Sequence, residues 1–179
     1  VAMQAFWEHG FEATSISALT SAMGIGAPSL YAAFGDKKAL FREVVEVYGH
    51  TYGAFAMRAL AEEPTARAGV ARMLREAATE YTDPGHPRGC LVVNAATNCG
   101  PDAADIEELL RRRREANVRE IERRIRTDVE AGLLPADTDP KALATFTAAT
   151  LQGMSQQARD GATRAQLEAV ARLAMRAWP

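Results

Sequence analysis

Two cysteines, three histidines and a run of four arginines are the residues of this 179-residue chain that could do reactive or ligating chemistry. Cys90 follows Gly89 at the expected start of a short helix from Cys90 to Asn98. A helix N-terminus lowers a thiol's pKa, which makes Cys90 a candidate redox residue. The same position suits cysteine as a small buried packing residue. Cys90 and Cys99, on one helix advancing about 100° per residue, would face opposite ways and could neither bridge nor chelate together. His9, His50 and His86 have no partner four residues away, so no metal site is expected. No G-x-S-x-G elbow or G-x-x-x-x-G-K-[ST] loop occurs, and Gly24 and Gly26 follow no strand. No catalytic residue and no cofactor is expected.

The arginines at 111–114 lie in a long helical segment expected to run from a cap at Asp102 or Asp105 to Ala131. Four successive helical residues sweep most of the circumference, so they do not make one basic face. Pairs such as Glu107–Arg111, Glu108–Arg112 and Glu120–Arg124 predict a salt-bridged solvent surface instead. Arg113 or Arg114, three or four residues after Leu110, can still turn inward toward an acidic ligand.

The elements that would position any function are helices throughout. Ala2 to His9 reads as the first, with Ala5 and Phe6 inward and Gly10 at its end. Thr14 and Ser15 can cap the next, in which Ile16, Leu19 and Met23 share a face and Gly24 supplies the left-handed stop. Pro28 sits in the first turn of a third helix that carries Ser29, Leu30, Tyr31 and Phe34 and ends at Gly35. Asp36 caps a longer helix with Leu40, Val44 and Val47 inward. This is a helix-turn-helix pattern, whose second helix can enter a DNA major groove.

Further along, Glu62-Glu63-Pro64 marks a boundary, and Thr65 opens a helix with Val70, Met73, Leu74, Ala77, Ala78 and Tyr81 at helical spacing. Residues 82–87 read as loop. Asp139-Pro140 opens a helix with Leu143, Phe146, Thr147, Thr150, Leu151 and Met154 as its stripe. Thr163 and Gln166 form a capping box before Leu167, Val170, Ala174 and Trp178. No stretch alternates like a strand, so the fold is all-α. No run of about 18 apolar residues exists to span a membrane. The last two helices carry more apolar surface than one hairpin buries, which predicts a four-helix interface with a second copy.

The run from Gly10-Phe11-Glu12-Ala13-Thr14-Ser15 through Ser29-Leu30-Tyr31-Ala32-Ala33-Phe34-Gly35-Asp36-Lys37 to Leu40-Phe41 resembles the N-terminal domain of TetR-family transcriptional regulators. Gly89-Cys90-Leu91-Val92-Val93-Asn94 and Leu151-Gln152-Gly153-Met154 resemble the ligand-binding half of one branch of that family. The resemblance implies a three-helix DNA-binding domain at 1–48 and a helical ligand-binding and dimerisation domain at 49–179. It implies a cytoplasmic homodimer that binds double-stranded operator DNA and responds to a small-molecule effector. Tyr31 and Lys37 would contact phosphates, as would Thr14 or Ser15, while Ala27, Pro28 and Ser29 approach base edges and Phe34 stays in the core. Thr20 stands where the family often has alanine, and Gly26-Ala27 where it often has longer polar side chains. Sequence preference would then lean on thymine methyl contacts and DNA shape. The effector would be small and largely apolar, with Met73, Tyr81, Asn94 and Asn117 as candidate lining residues. Two other readings stand beside this one: a thiol redox sensor using Cys90, and a helical dimerisation protein without DNA binding.

Charge fits a DNA partner poorly. The net charge is −2, and residues 1–50 hold Lys37, Lys38 and Arg42 against Glu8, Glu12, Asp36, Glu43 and Glu46. Phosphate contacts must then come from backbone N–H groups and hydroxyls, together with a basic segment expected before Val1.

Overall fold

A computed structural model describes residues 1–95 and 99–179, and those residues contain helices and turns but no strand. Helix α1 (Ala2–Ala13) is kinked at Gly10, which takes φ 78° and ψ 177°. Ser15 caps α2 (Ile16–Met23), its side chain accepting from the Ala18 N–H. Gly24 ends α2 at φ 68°, a left-handed conformation that would strain any residue with a Cβ. Helix α3 (Ala27–Phe34) begins with Pro28 in its first turn, and Asp36 caps α4 (Lys37–His50) through the Ala39 N–H at 2.7 Å.

The core of this part is aromatic. Phe6, Trp7, Phe11, Leu19, Leu30, Phe41, Val45 and Tyr48 are buried, and Phe41 meets Phe6 and Phe11 edge-on with centroids 5.0 and 5.2 Å apart. Helix α4 turns Phe41, Val44, Val45 and Tyr48 inward, an i, i+3, i+4, i+7 face. Val47, expected on that face, is 51% exposed because it lies a quarter-turn off it.

This core does not stop at residue 48. Leu91 of α7 (Leu91–Asn94), Ala95, Ala103, and Ile106 and Leu110 of α8 (Ala104–Glu130) belong to the same cluster. Trp7 Nε1 donates to the Gly89 carbonyl at 3.2 Å. Gly89 has φ 78°, and a Cβ there would stand 2.7 Å from the Ser155 carbonyl, so the chain can pass only as glycine. On the outside, Lys38 and Arg42 of α4 both reach Asp105, each at 2.6 Å. Asp105 therefore ties α4 to α8 instead of capping α8. That helix is entered through a single 3-10 turn, Pro101–Ala103, without a side-chain cap.

A second core joins α5 (Ala54–Glu62), α6 (Ala66–Glu80), the later half of α8, α9 (Pro140–Arg159) and α10 (Arg164–Ala174), around Val70, Met73, Leu74, Ile121, Ile125, Met154, Leu167 and Trp178. The caps at Thr65 and Asp139 and the capping box at Thr163 and Gln166 form as the sequence predicts. On α8, Glu108 pairs with Arg112 as expected. Arg111 turns to Glu108 and Glu115 rather than Glu107, and Arg124 to Asp128 rather than Glu120. Phe146 and Val170, expected inward, are each 39% exposed, and Leu173 is 60% exposed. The short helix expected to reach Asn98 is seen over Leu91–Asn94; its last part lies outside the described residues.

Asp128 ties α8 to α6 within this second core. It is buried, and its Oδ2 accepts from the Ala66 N–H at 2.5 Å, placing a carboxylate on the N-terminus of α6. Replacing it, Asp128→Ala, leaves that N–H unsatisfied and should cost about 1.5–3 kcal/mol of unfolding free energy. Urea denaturation followed by circular dichroism checks this; a midpoint matching the parent protein would contradict it.

Candidate nucleic-acid interface and cavity

The exposed edge of the first three helices is the N-terminal turn of α3. Leu30 is fully buried and fixes the rotation of that helix, which leaves Pro28, Ser29 and Tyr31 exposed and Ala27 partly so. Ser15 at the start of α2 is exposed as well, its hydroxyl accepting from the Ala18 N–H at 3.0 Å. Thr14 does not join them. It is 1% exposed, and its hydroxyl donates to the Gly10 carbonyl at 2.7 Å, so it secures the kink of α1 rather than facing a phosphate. Thr20 likewise spends its hydroxyl on its own helix, at Ile16 and Ser17. Phe34 packs against the core.

Lys37 is half-buried. Its ammonium lies 4.4 Å from the centre of the Phe11 ring and donates to the Glu12 carbonyl at 3.4 Å. Burial lowers its pKa, with the Glu12 carboxylate acting the other way. A phosphate contact from Lys37 therefore requires the ammonium to leave or share this seat.

A cavity of about 340 Å³ opens between α4, α5, α7, α8 and α9. Tyr48 comes from α4, Phe55 and Met57 from α5, Tyr81 from the end of α6, Cys90 and Val93 from the α7 region, Arg113, Arg114, Asn117 and Ile121 from α8, and Leu151 and Gln152 from α9. Of the four lining residues expected from sequence, Tyr81 and Asn117 are here. Met73 is wholly buried in the second core and does not reach the cavity. Asn94 is also buried: it donates to the Arg88 carbonyl at 3.0 Å and accepts from Ser155 at 3.3 Å, and it borders a different cleft beside α1. Tyr48 was not among the inward positions expected of α4; it lies four residues after Val44, and nothing in that spacing separates a core tyrosine from a cavity wall.

Both tyrosine hydroxyls are pushed up in pKa by burial first and by the neighbouring Cys90 next, so they remain protonated donors. The Tyr48 hydroxyl makes no hydrogen bond of ordinary geometry, although the Cys90 thiol lies within its reach. Cys90 itself is raised by burial, against smaller opposing pulls from Tyr48, two backbone N–H groups and Arg114. The expected thiolate at a helix N-terminus is not formed, because α7 is a single turn and desolvation outweighs its dipole. Arg113 and Arg114 both turn toward the cavity. Arg113 pairs with Glu46 of α4 at 2.5 Å, and Arg114 donates to the Val92 carbonyl at 3.1 Å.

Among the described residues, no group of three His, Cys, Asp or Glu side chains could hold a metal, and no helix is long and apolar enough to cross a membrane.

Residues 1–44 match the bacterial regulatory proteins of the tetR family, and residues 66–174 match the tetracyclin repressor-like C-terminal domain. The chain is similar to the HTH-type transcriptional repressor ComR of Escherichia coli (strain K12): 35% identical over 179 residues, 99% of this chain and 85% of that protein. It is similar to BdcR, an HTH-type transcriptional repressor of the same strain, at 30% over 169 residues, 94% of this chain and 81% of that protein. A cysteine-substituted form of the TetR-family regulator CifR, solved with 26 bp double-strand operator DNA, superposes with a TM-score of 0.96 at 45% identity, covering 99% of this chain and 93% of that one.

The raised Cys90 pKa has a kinetic consequence. Less thiolate is present at a given pH, so alkylation by iodoacetamide at pH 8 should run several-fold slower at Cys90 than in the urea-unfolded chain, and the rate should keep climbing above the ordinary thiol range. Peptide mass spectrometry of timed samples measures it; native labelling faster than unfolded labelling would contradict the burial effect.

Proposed function

The chain belongs to the TetR family of bacterial regulatory proteins and is a DNA-binding transcriptional regulator, and on that premise we propose a cytoplasmic repressor that leaves its operator when a small molecule fills the cavity. Residues 1–48 form the reading domain, and residues 49–179 bind the effector and dimerise. Each copy of a homodimer sets α3 in the major groove of one half-site. Ala27, Pro28 and Ser29 approach base edges, while Ser15, Tyr31 and Lys37 meet phosphates. Phe146, Val170 and Leu173, apolar and exposed on α9 and α10, support dimerisation through those helices.

The observation that carries the effector reading is the placement of α4. Its buried face packs with α1 and α3 in the DNA-reading core, and its Tyr48 is a wall of the cavity. A molecule that displaces the Tyr48 ring must shift the helix on which the reading head rests. That meets the requirement for allostery, because the ligand's contacts differ between two positions of one element. The raised pKa of Cys90 weighs against a thiol sensor, and the exposed first turn of α3 against a protein without DNA binding.

Fluorescence anisotropy with operator DNA from the gene's own upstream region tests the interface. Lys37→Ala should lower affinity for every sequence and reduce the slope of log K against log salt by about one unit. Ser29→Ala should instead alter the preference among operator variants. Unchanged affinity and slope in Lys37→Ala would put the phosphate contacts elsewhere.

A further inference from the structure

The cavity's charges are unbalanced. Among the described residues no aspartate or glutamate lines it, while Arg113 and Arg114 both do. Arg113 is matched by Glu46, which approaches from α4. Arg114 is half-buried and forms no ion pair among the described residues; it donates instead to the neutral carbonyl of Val92. Its charge is felt inside, since it pulls on the Cys90 thiol. A partly desolvated cation facing a cavity is stabilised most by an anion that can reach it.

From this we propose that the effector is a compact monocarboxylic acid, with its carboxylate on Arg114 and its apolar body against Phe55, Met57, Ile121 and Leu151. This rests on the effector reading of the cavity. A planar guanidinium presents parallel N–H donors that fit a carboxylate two at a time. One uncompensated positive charge calls for one negative charge. A phosphate monoester would bring nearly two, and the second cation is already held by Glu46. At about 340 Å³ the space is near the lower end for ligand pockets, which favours a ring or short chain over a long acyl tail.

Isothermal titration calorimetry at pH 7 on the 179-residue protein tests this with matched pairs: benzoate against benzamide, phenylacetate against phenylacetamide, hexanoate against hexanamide. Each carboxylate should bind about tenfold or more tightly than its amide. Arg114→Gln should remove that preference while leaving the amides as they were, and Arg114→Lys should restore part of it. Asn117→Asp, which adds a negative charge at the cavity, should weaken the acids alone, so the result does not depend on one variant folding. Amides that bind as well as acids, a preference that survives Arg114→Gln, or no binding by any of the six would each overturn the proposal. Amides that bind and release operator DNA would do so while leaving the effector reading intact.

Discussion

Tyr48 stands at the point where one apolar core becomes the wall of another space. Leu40, Phe41, Val44 and Val45, N-terminal to it on α4, share one core with Phe6, Trp7, Phe11 and Leu30. Its ring is also a wall of the cavity, and its hydroxyl is buried with Cys90 and Tyr81 for neighbours. Close-packed cores transmit displacement because they have few voids to absorb it. In the proposed mechanism the position of this ring is what ties the placement of α3 to the contents of the cavity.

The same logic is repeated around the rim. Lys38 and Arg42 bind Asp105, and Glu46 binds Arg113, so three successive turns of α4 are laced to α8 by charge. These pairs are exposed enough that each contributes little stability alone. Their value is registration: they fix which turn of α4 faces which turn of α8. The cost falls on DNA binding, because Lys38 and Arg42 are two of the few cations in residues 1–50 and both face a carboxylate.

Most of the fold was legible in the sequence for reasons that can be named. Thr65, Asp139, Thr163 and Gly24 are local signals, settled by capping geometry and a left-handed backbone within a few residues. Where local rules compete with distant partners they fail. Asp105 has the chemistry of a cap but is claimed by two cations over sixty residues away. Thr14 has the hydroxyl of a phosphate contact but is turned inward by the kink at Gly10. The cavity was half legible. Tyr81 and Asn117 line it, and the inward turn of Arg113 and Arg114 follows from their spacing after Leu110. Met73 shows the limit, since helical periodicity marks an inner face without telling a filled interior from an open one. The thiol of Cys90 shows another, since a helix dipole can be read from sequence and desolvation cannot.

The central claim is that the contents of the cavity set the affinity for DNA. Ala148 lines the cavity on α9, and Ala148→Trp fills part of it without any ligand. With the melting temperature kept within a few degrees of the parent, operator affinity measured by anisotropy should fall about tenfold, and amide hydrogen exchange should rise in α4. A folded Ala148→Trp protein that binds the operator as tightly as its parent, with α4 equally protected, would contradict the account.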